Sequence, residues 1–180
     1  MVATDNEIKL FSVNIKDGKL KEVGKMNTEG AKLTCGSFTY SNSHIILGYK
    51  SGAVKAFKLE RDSDEESIKN IKFTTEFTGL TSEVRTVSTT FDKELVAVVG
   101  QEDKCCKIFD FKTGAFIRNL TFSEKVGGEN IDFTGAMFSL NRKYLYCLMT
   151  APNGENSYAT KWESLDGEFN NSKTLTIANS

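Results

Sequence analysis

A single proline, a single histidine and a single tryptophan occur in 180 residues, and each scarcity removes a class of protein. With Pro152 as its only proline, the chain has almost nothing to interrupt β-ladders. With His44 as its only histidine, His-rich metal sites are excluded, and a Ser-His-Asp or Cys-His arrangement would rest on one residue. His44 stands just before the apolar run Ile45-Ile46-Leu47, which marks it as structural or exposed. The four cysteines, Cys35, Cys105, Cys106 and Cys147, contain no C-x-x-C spacing. Two are adjacent, and in a strand they point to opposite faces. They read as reduced, small hydrophobes of a cytosolic chain rather than zinc or redox ligands. Charge of either sign is not in excess, with 23 Lys and Arg against 24 Asp and Glu, and no basic cluster stands out. The electrostatic term behind sequence-independent nucleic-acid binding is therefore lacking, and nucleic acid is not an expected partner. No apolar run approaches the roughly 20 residues that span a bilayer, and Met1 to Asn6 lack a signal peptide's basic and apolar regions, so a soluble, cytoplasmic chain is expected. Gly127-Gly128 has no phosphate-loop pattern around it. Asp62 and Asp64 have no apolar neighbours to raise a pKa. No catalytic residue, metal or cofactor is expected.

What is present is a repeat. Ile8-Lys9-Leu10-Phe11, Val54-Lys55-Ala56-Phe57, Cys106-Lys107-Ile108-Phe109 and Ala159-Thr160-Lys161-Trp162 align without gaps, and their aromatics lie 46, 52 and 53 residues apart. About nine residues before the second and third aromatics, a glycine closes an apolar run, in Ile45-Ile46-Leu47-Gly48 and in Leu95 to Gly100. In the fourth copy Leu145 to Met149 takes that place. Turn signals follow three of the aromatics, at Asp17-Gly18, Thr113-Gly114 and Asp166-Gly167, and lead into Leu20, Phe116 and Phe169. Upstream of each run lies a further alternating segment, Leu33 to Phe38, Val84 to Ser88 and Phe133 to Phe138.

Four short strands recurring at this interval, with Phe109-Asp110 where a Trp-Asp dipeptide would sit, are the signature of propeller blades. The expected fold is all-β: a partial WD-repeat β-propeller of about 3.5 four-stranded antiparallel blades from a seven-bladed ring. Its blade segments are about 1–30, 31–79, 80–125 and 126–180, the first lacking its leading strands. Strands covered on both faces become near-continuous apolar runs. Phe11, Phe57, Phe109 and Trp162 should fill the space between blades, each burying on the order of 150 to 250 Å². The acidic stretch from Glu60 to Asn70 has no apolar stripe and reads as a solvated loop, with Ser63 or Ser67 as conceivable phosphorylation acceptors. Arg142-Lys143-Tyr144-Leu145-Tyr146 is either a β-turn at Asn141-Arg142 entering a core strand or a partner-contact patch. A fan that stops short of a ring leaves edges and faces open to another chain.

The order of Ser82 to Val87, Leu95 to Gly100, Thr113 to Ile117, Asp132 to Phe138, Ser157 to Trp162 and Lys173 to Leu175 resembles the prolactin regulatory element-binding protein family. The resemblance covers nearly the whole chain. It implies a WD-repeat guanine nucleotide exchange factor for the Sar-type small GTPase, working in COPII vesicle formation at the cytosolic face of the endoplasmic reticulum. In that family a Gly-rich loop of the first blade holds a potassium ion in some members and ends in an Asn-x-hydrophobic stretch. Only Asn6-Glu7-Ile8 matches it, which makes Asn6 the one candidate GTPase contact. The Gly-rich part and the family's C-terminal membrane anchor have no counterpart in the sequence. A non-catalytic WD-repeat scaffold is the alternative.

Overall fold

The computed structural model describes residues 1–4, 7–61, 67–122, 131–151, 154, 156–165 and 168–178. Among them, fifteen strands form four antiparallel sheets in which spatial order follows chain order. The first sheet holds β1 (Val2–Ala3), β2 (Glu7–Val13) and β3 (Leu20–Asn27). The second holds β4 (Leu33–Phe38), β5 (His44–Tyr49), β6 (Val54–Arg61) and β7 (Ile68–Phe77). The third holds β8 (Val84–Thr89), β9 (Leu95–Gly100), β10 (Cys106–Asp110) and β11 (Phe116–Leu120). The fourth holds β12 (Asp132–Phe138), β13 (Tyr144–Thr150), β14 (Asn156–Leu165) and β15 (Glu168–Ala178). This is a partial propeller of three whole blades and a first sheet without its innermost strand.

The repeat is visible in the hydrogen-bond register. In every sheet the pairing of the third and fourth strands slips by one residue just before the aromatic, between Leu10 and Phe11, Ala56 and Phe57, Ile108 and Phe109, and Lys161 and Trp162. The three complete blades share a second slip in the first strand, which leaves Thr34, Arg85 and Thr134 without a partner across the ladder. Such bulges sharpen the local twist, as wedge-shaped blades require.

Three apolar clusters hold the stack together, one between each successive pair of sheets. The second strands of the two middle sheets are covered on both faces. Ile45 to Tyr49 and Leu95 to Gly100 are accordingly buried at every position. β13 is covered on one face only, and its burial alternates: Leu145, Cys147 and Met149 are buried while Tyr146 and Leu148 are exposed. Neighbouring first strands are also tied by side chains. Thr34 Oγ1 donates to the Val84 carbonyl at 2.6 Å, and the Ala136 and Phe138 amides donate to Thr86 Oγ1 and Ser88 Oγ at 3.3 and 3.1 Å. Gly48 is required at the junction of the second and third sheets. A Cβ there would lie 2.6 Å from both Cys35 Sγ and Val84 Cγ1.

Two local expectations need correction. The hairpin of the second blade runs further than a loop from Glu60 to Asn70, because Glu60 pairs with Asn70 and Arg61 with Ile68. The cross-strand ladder satisfies backbone groups that charge patterning alone leaves out of account. Residues 62–66, with Asp62, Ser63 and Asp64, lie outside the described residues, as do Gly127, Gly128 and Pro152. Cys105 lies in the bend before β10 rather than sharing a strand with Cys106, and both are buried. Among the described residues every cysteine is free. Cys147 beside it, together with burial, pushes the Cys106 thiol well above its usual range, which leaves it unreactive.

Candidate functional site

In each complete blade the first and second strands are joined by the same five-residue turn. Asn42, Lys93 and Arg142 donate their amides to the carbonyls of Thr39, Thr90 and Ser139, and the outer pair is closed by the Thr39, Thr90 and Ser139 amides bonding to the carbonyls of His44, Leu95 and Tyr144. The fourth position is left-handed throughout, with φ of 51° at Asn42, 60° at Lys93 and 62° at Arg142. Only asparagine suits that region. In the other two turns the cation reaches back to the preceding blade. Lys93 Nζ donates to Ser43 Oγ at 3.2 Å, while Arg142 bridges Asp92 at 2.7 Å and Glu94 at 2.5 Å. Burial acts to raise the Asp92 pKa, but the Thr90 hydroxyl, the Glu94 amide and the Arg142 guanidinium together hold it below the ordinary carboxylate range.

With its backbone fixed in this way, each turn presents one large apolar side chain at its second position: Tyr40, Phe91 and Leu140, which are 45%, 61% and 66% exposed. The Tyr40 and Phe91 rings are 5.6 Å apart, so they form one surface rather than isolated points. Because strands alternate in direction, the turns between third and fourth strands open at this same end, where Val13, Ile15, Leu20 and Phe116 are exposed as well.

Behind the turns lies a cleft between the second and third blades, lined by His44, Asp92, Lys93, Glu94, Asp110 and Phe111. His44 stands edge-on to Phe111 at 5.3 Å, and its Nδ1 lies 2.9 Å from Ser43 Oγ. Burial, then Lys93 and Lys58, lower its pKa. The ring is a wall of the cleft, with no cysteine beside it. Asp110 serves its own turn, accepting from the amide and hydroxyl of Thr113 at 2.7 Å each. Those two bonds hold its carboxyl below the usual range. Among the described residues no three of His, Cys, Asp and Glu come together as metal ligands. What the end can do is bind: a rigid apolar crescent loses little entropy on docking, and aromatic side chains anchor protein interfaces.

The four repeat aromatics occupy equivalent register positions, with Phe57 opposite Ile45, Phe109 opposite Val96 and Trp162 opposite Leu145. Phe109 and Trp162 are buried between blades, and Trp162 Nε1 donates to Thr160 Oγ1 at 3.0 Å. Phe57 is half-buried against the first sheet, and Phe11 is half-buried on the far face of that sheet. Space between blades is therefore not filled at Phe11, which has no preceding sheet among the described residues. Asn6 lies outside the described residues, and Ala3 and Glu7, which flank it, stand at the end opposite the apolar turns. The basic stretch at Arg142 is a β-turn whose guanidinium is committed to the neighbouring blade. Sequence reasoning missed Tyr40, Phe91 and Leu140. The signal that could have found them is their recurrence at intervals of 51 and 49 residues, one position after a Thr or Ser.

No protein-family model matches the sequence, and no curated protein matches it. Solved structures do resemble the fold. The β-propeller domain of Myceliophteria thermophila Cps50 (Swd1) superposes with a TM-score of 0.63 at 12% identity, over 84% of this chain and 43% of that one. A chain of the mitotic checkpoint complex gives 0.58 at 11% identity, over 96% and 46%. The RRP9 WD40 repeats give 0.55 at 14%, over 81% and 38%. The fold is that of WD40 propellers, and the chain spans less than half the length of each of these.

Proposed function

We propose that this chain belongs to a protein-docking WD-repeat propeller, and that it docks through the end bearing Tyr40, Phe91 and Leu140. The observation that carries this is the exposure of a large apolar side chain at one position of the same rigid turn in three consecutive blades. The chain works by binding rather than by covalent chemistry of its own.

At finer grain, the family resemblance nominates the Sar-type GTPase as partner and nucleotide exchange at the cytosolic face of the endoplasmic reticulum as the activity. Exchange asks for no nucleophile. A surface that binds the nucleotide-free GTPase more tightly than the loaded one weakens GDP by the same factor. A second reading, a scaffold without exchange activity, is favoured by one specific observation: the apolar crescent lies at the end opposite the residues flanking Asn6. GDP release from the Sar-type GTPase, measured with the wild-type chain, Asn6→Ala and the triple variant Tyr40→Ala/Phe91→Ala/Leu140→Ala, separates the two. Acceleration lost in Asn6→Ala supports exchange. Binding without acceleration, lost only in the triple variant, supports the scaffold. No binding by any form removes the GTPase as partner.

A further inference from the structure

The turns between first and second strands repeat a charge pattern that is complete at one blade junction and incomplete at the junction before it. Between the third and fourth blades, the cation at the fourth turn position, Arg142, reaches back to carboxylates at the third and fifth positions of the preceding turn, Asp92 and Glu94. Between the second and third blades, both complete, the cation is Lys93, and the same two positions hold Ser41 and Ser43. Lys93 Nζ therefore meets a hydroxyl, Ser43 Oγ at 3.2 Å, where a carboxylate would stand. Ser41 Oγ lies 2.8 Å and His44 Nδ1 2.9 Å from that same hydroxyl. Lys58 stands opposite His44 across the ladder, and Lys112 lines the cleft behind the turn. None of these three lysines pairs with a carboxylate among the described residues. The carboxylates of the cleft are all engaged, Asp92 and Glu94 by Arg142 and Asp110 by Thr113.

We propose that the slot formed by Ser41, Ser43, His44 and Lys93 receives a carboxylate side chain of the docked protein, seated beside a large apolar side chain that packs on Tyr40 and Phe91. This rests on the docking reading of this end and specifies the partner's contact segment, an acidic residue next to an aliphatic or aromatic one. Lys93 and two rotatable hydroxyls offer charge-assisted and neutral donors to a carboxylate. The Tyr40 and Phe91 rings, 5.6 Å apart, belong to the residues directly before Ser41 and Asp92, so apolar and anionic contacts fall side by side. A basic segment finds no such welcome, because the acids of the cleft already have partners. Burial, and then Lys93 and Lys58, hold His44 below its usual pKa; a carboxylate seated in the slot acts in the opposite direction.

His44, the one histidine of the chain, is the reporter. Its imidazole resonances are titrated against pH by NMR in the full chain, with two acetylated and amidated hexapeptides, one alternating phenylalanine with glutamate and the other phenylalanine with glutamine. The glutamate peptide should bind the wild type about fivefold more tightly and raise the His44 midpoint, which the glutamine peptide should leave in place. Lys93→Asn removes the cation and puts at that left-handed position the residue type that the second blade carries there, Asn42. Ser41→Asp/Ser43→Glu supplies the two carboxylates found in the third blade's turn. Each change should reduce the glutamate peptide to the affinity of the glutamine peptide, and the double variant should raise the His44 midpoint without any peptide. Equal affinities for the wild type, lost together in Tyr40→Ala/Phe91→Ala/Leu140→Ala, overturn the carboxylate slot and leave the docking end standing. A glutamate preference that survives Lys93→Asn overturns it as well. So does an equal His44 shift with inorganic phosphate at the same concentration, which assigns the slot to a free anion. Binding of neither peptide also overturns it, and the docking reading then rests on the GTPase measurement alone.

Discussion

Phe109→Ala and Phe11→Ala remove the same atoms from the same place in the repeat, yet the structure predicts very different costs. Phe109 is fully buried in the cluster between the second and third sheets, edge-on to Phe77 at 5.8 Å and to Phe116 at 5.9 Å. Truncating a core phenylalanine costs about 3 to 5 kcal/mol through lost transfer energy and the cavity left behind. Against a total stability of about 5 to 15 kcal/mol, that is a large fraction. With a urea slope of about 2 kcal/mol/M, the unfolding midpoint should fall by about 2 M. Phe11 is half-exposed on the outer face of the first sheet, and its truncation should cost less than about 1 kcal/mol. Urea unfolding followed by circular dichroism, at chain concentrations too low for self-association, measures both. Phe57→Ala should fall between them, since Phe57 is half-buried against the first sheet. Equal losses at Phe109 and Phe11 would refute the stacking of blades through their third-strand aromatics.

Other substitutions probe the joints. Gly48→Ala forces a methyl against Cys35 and Val84, and overpacking of this kind should cost about 1 to 3 kcal/mol, read as a lower unfolding midpoint. Arg142→Ala removes two partly exposed ion pairs; it should cost about 0.2 to 1 kcal/mol for each at low salt, and the difference from wild type should shrink in high salt. His44 has its pKa lowered in the folded chain. Its contribution to stability is therefore fully present above the unfolded value of about 6.5 and is lost as pH falls through the folded value. His44→Gln should flatten stability against pH in that window, as measured by thermal unfolding. Asp92 and Asp110, both held below the ordinary carboxylate range, contribute stability that persists until pH falls below about 4 and is lost as it drops further. Asp92→Asn should remove part of that acid-induced loss.

Much of the fold is legible in the residues because the constraints are strong. A strand covered on both faces must be apolar at every position, and Ile45 to Gly48 and Leu95 to Gly100 meet that demand. A tight turn between third and fourth strands needs a glycine with positive φ, and Gly18 and Gly114 supply it at 68° and 73°. The aromatic positions are legible because they recur. The apolar end was not legible, for a physical reason. An exposed Tyr40 or Leu140 in a turn carries no periodic signature of its own, and only the superposition of three turns makes the crescent appear. The first-strand bulges at Thr34, Arg85 and Thr134 were equally hidden, since a bulge is a matter of register between strands. Leu145 to Met149 reads like the other buried runs, yet one of its faces is open because nothing among the described residues covers it.

Hydrogen exchange of the chain, alone and with an excess of the proposed partner, nucleotide-free Sar-type GTPase, tests the proposed docking surface most directly. Slowed exchange confined to the turns at residues 39–43, 90–94 and 139–143 is the predicted result. Protection at residues 28–32 and 78–83 on the opposite end, with those three turns unchanged, would contradict it.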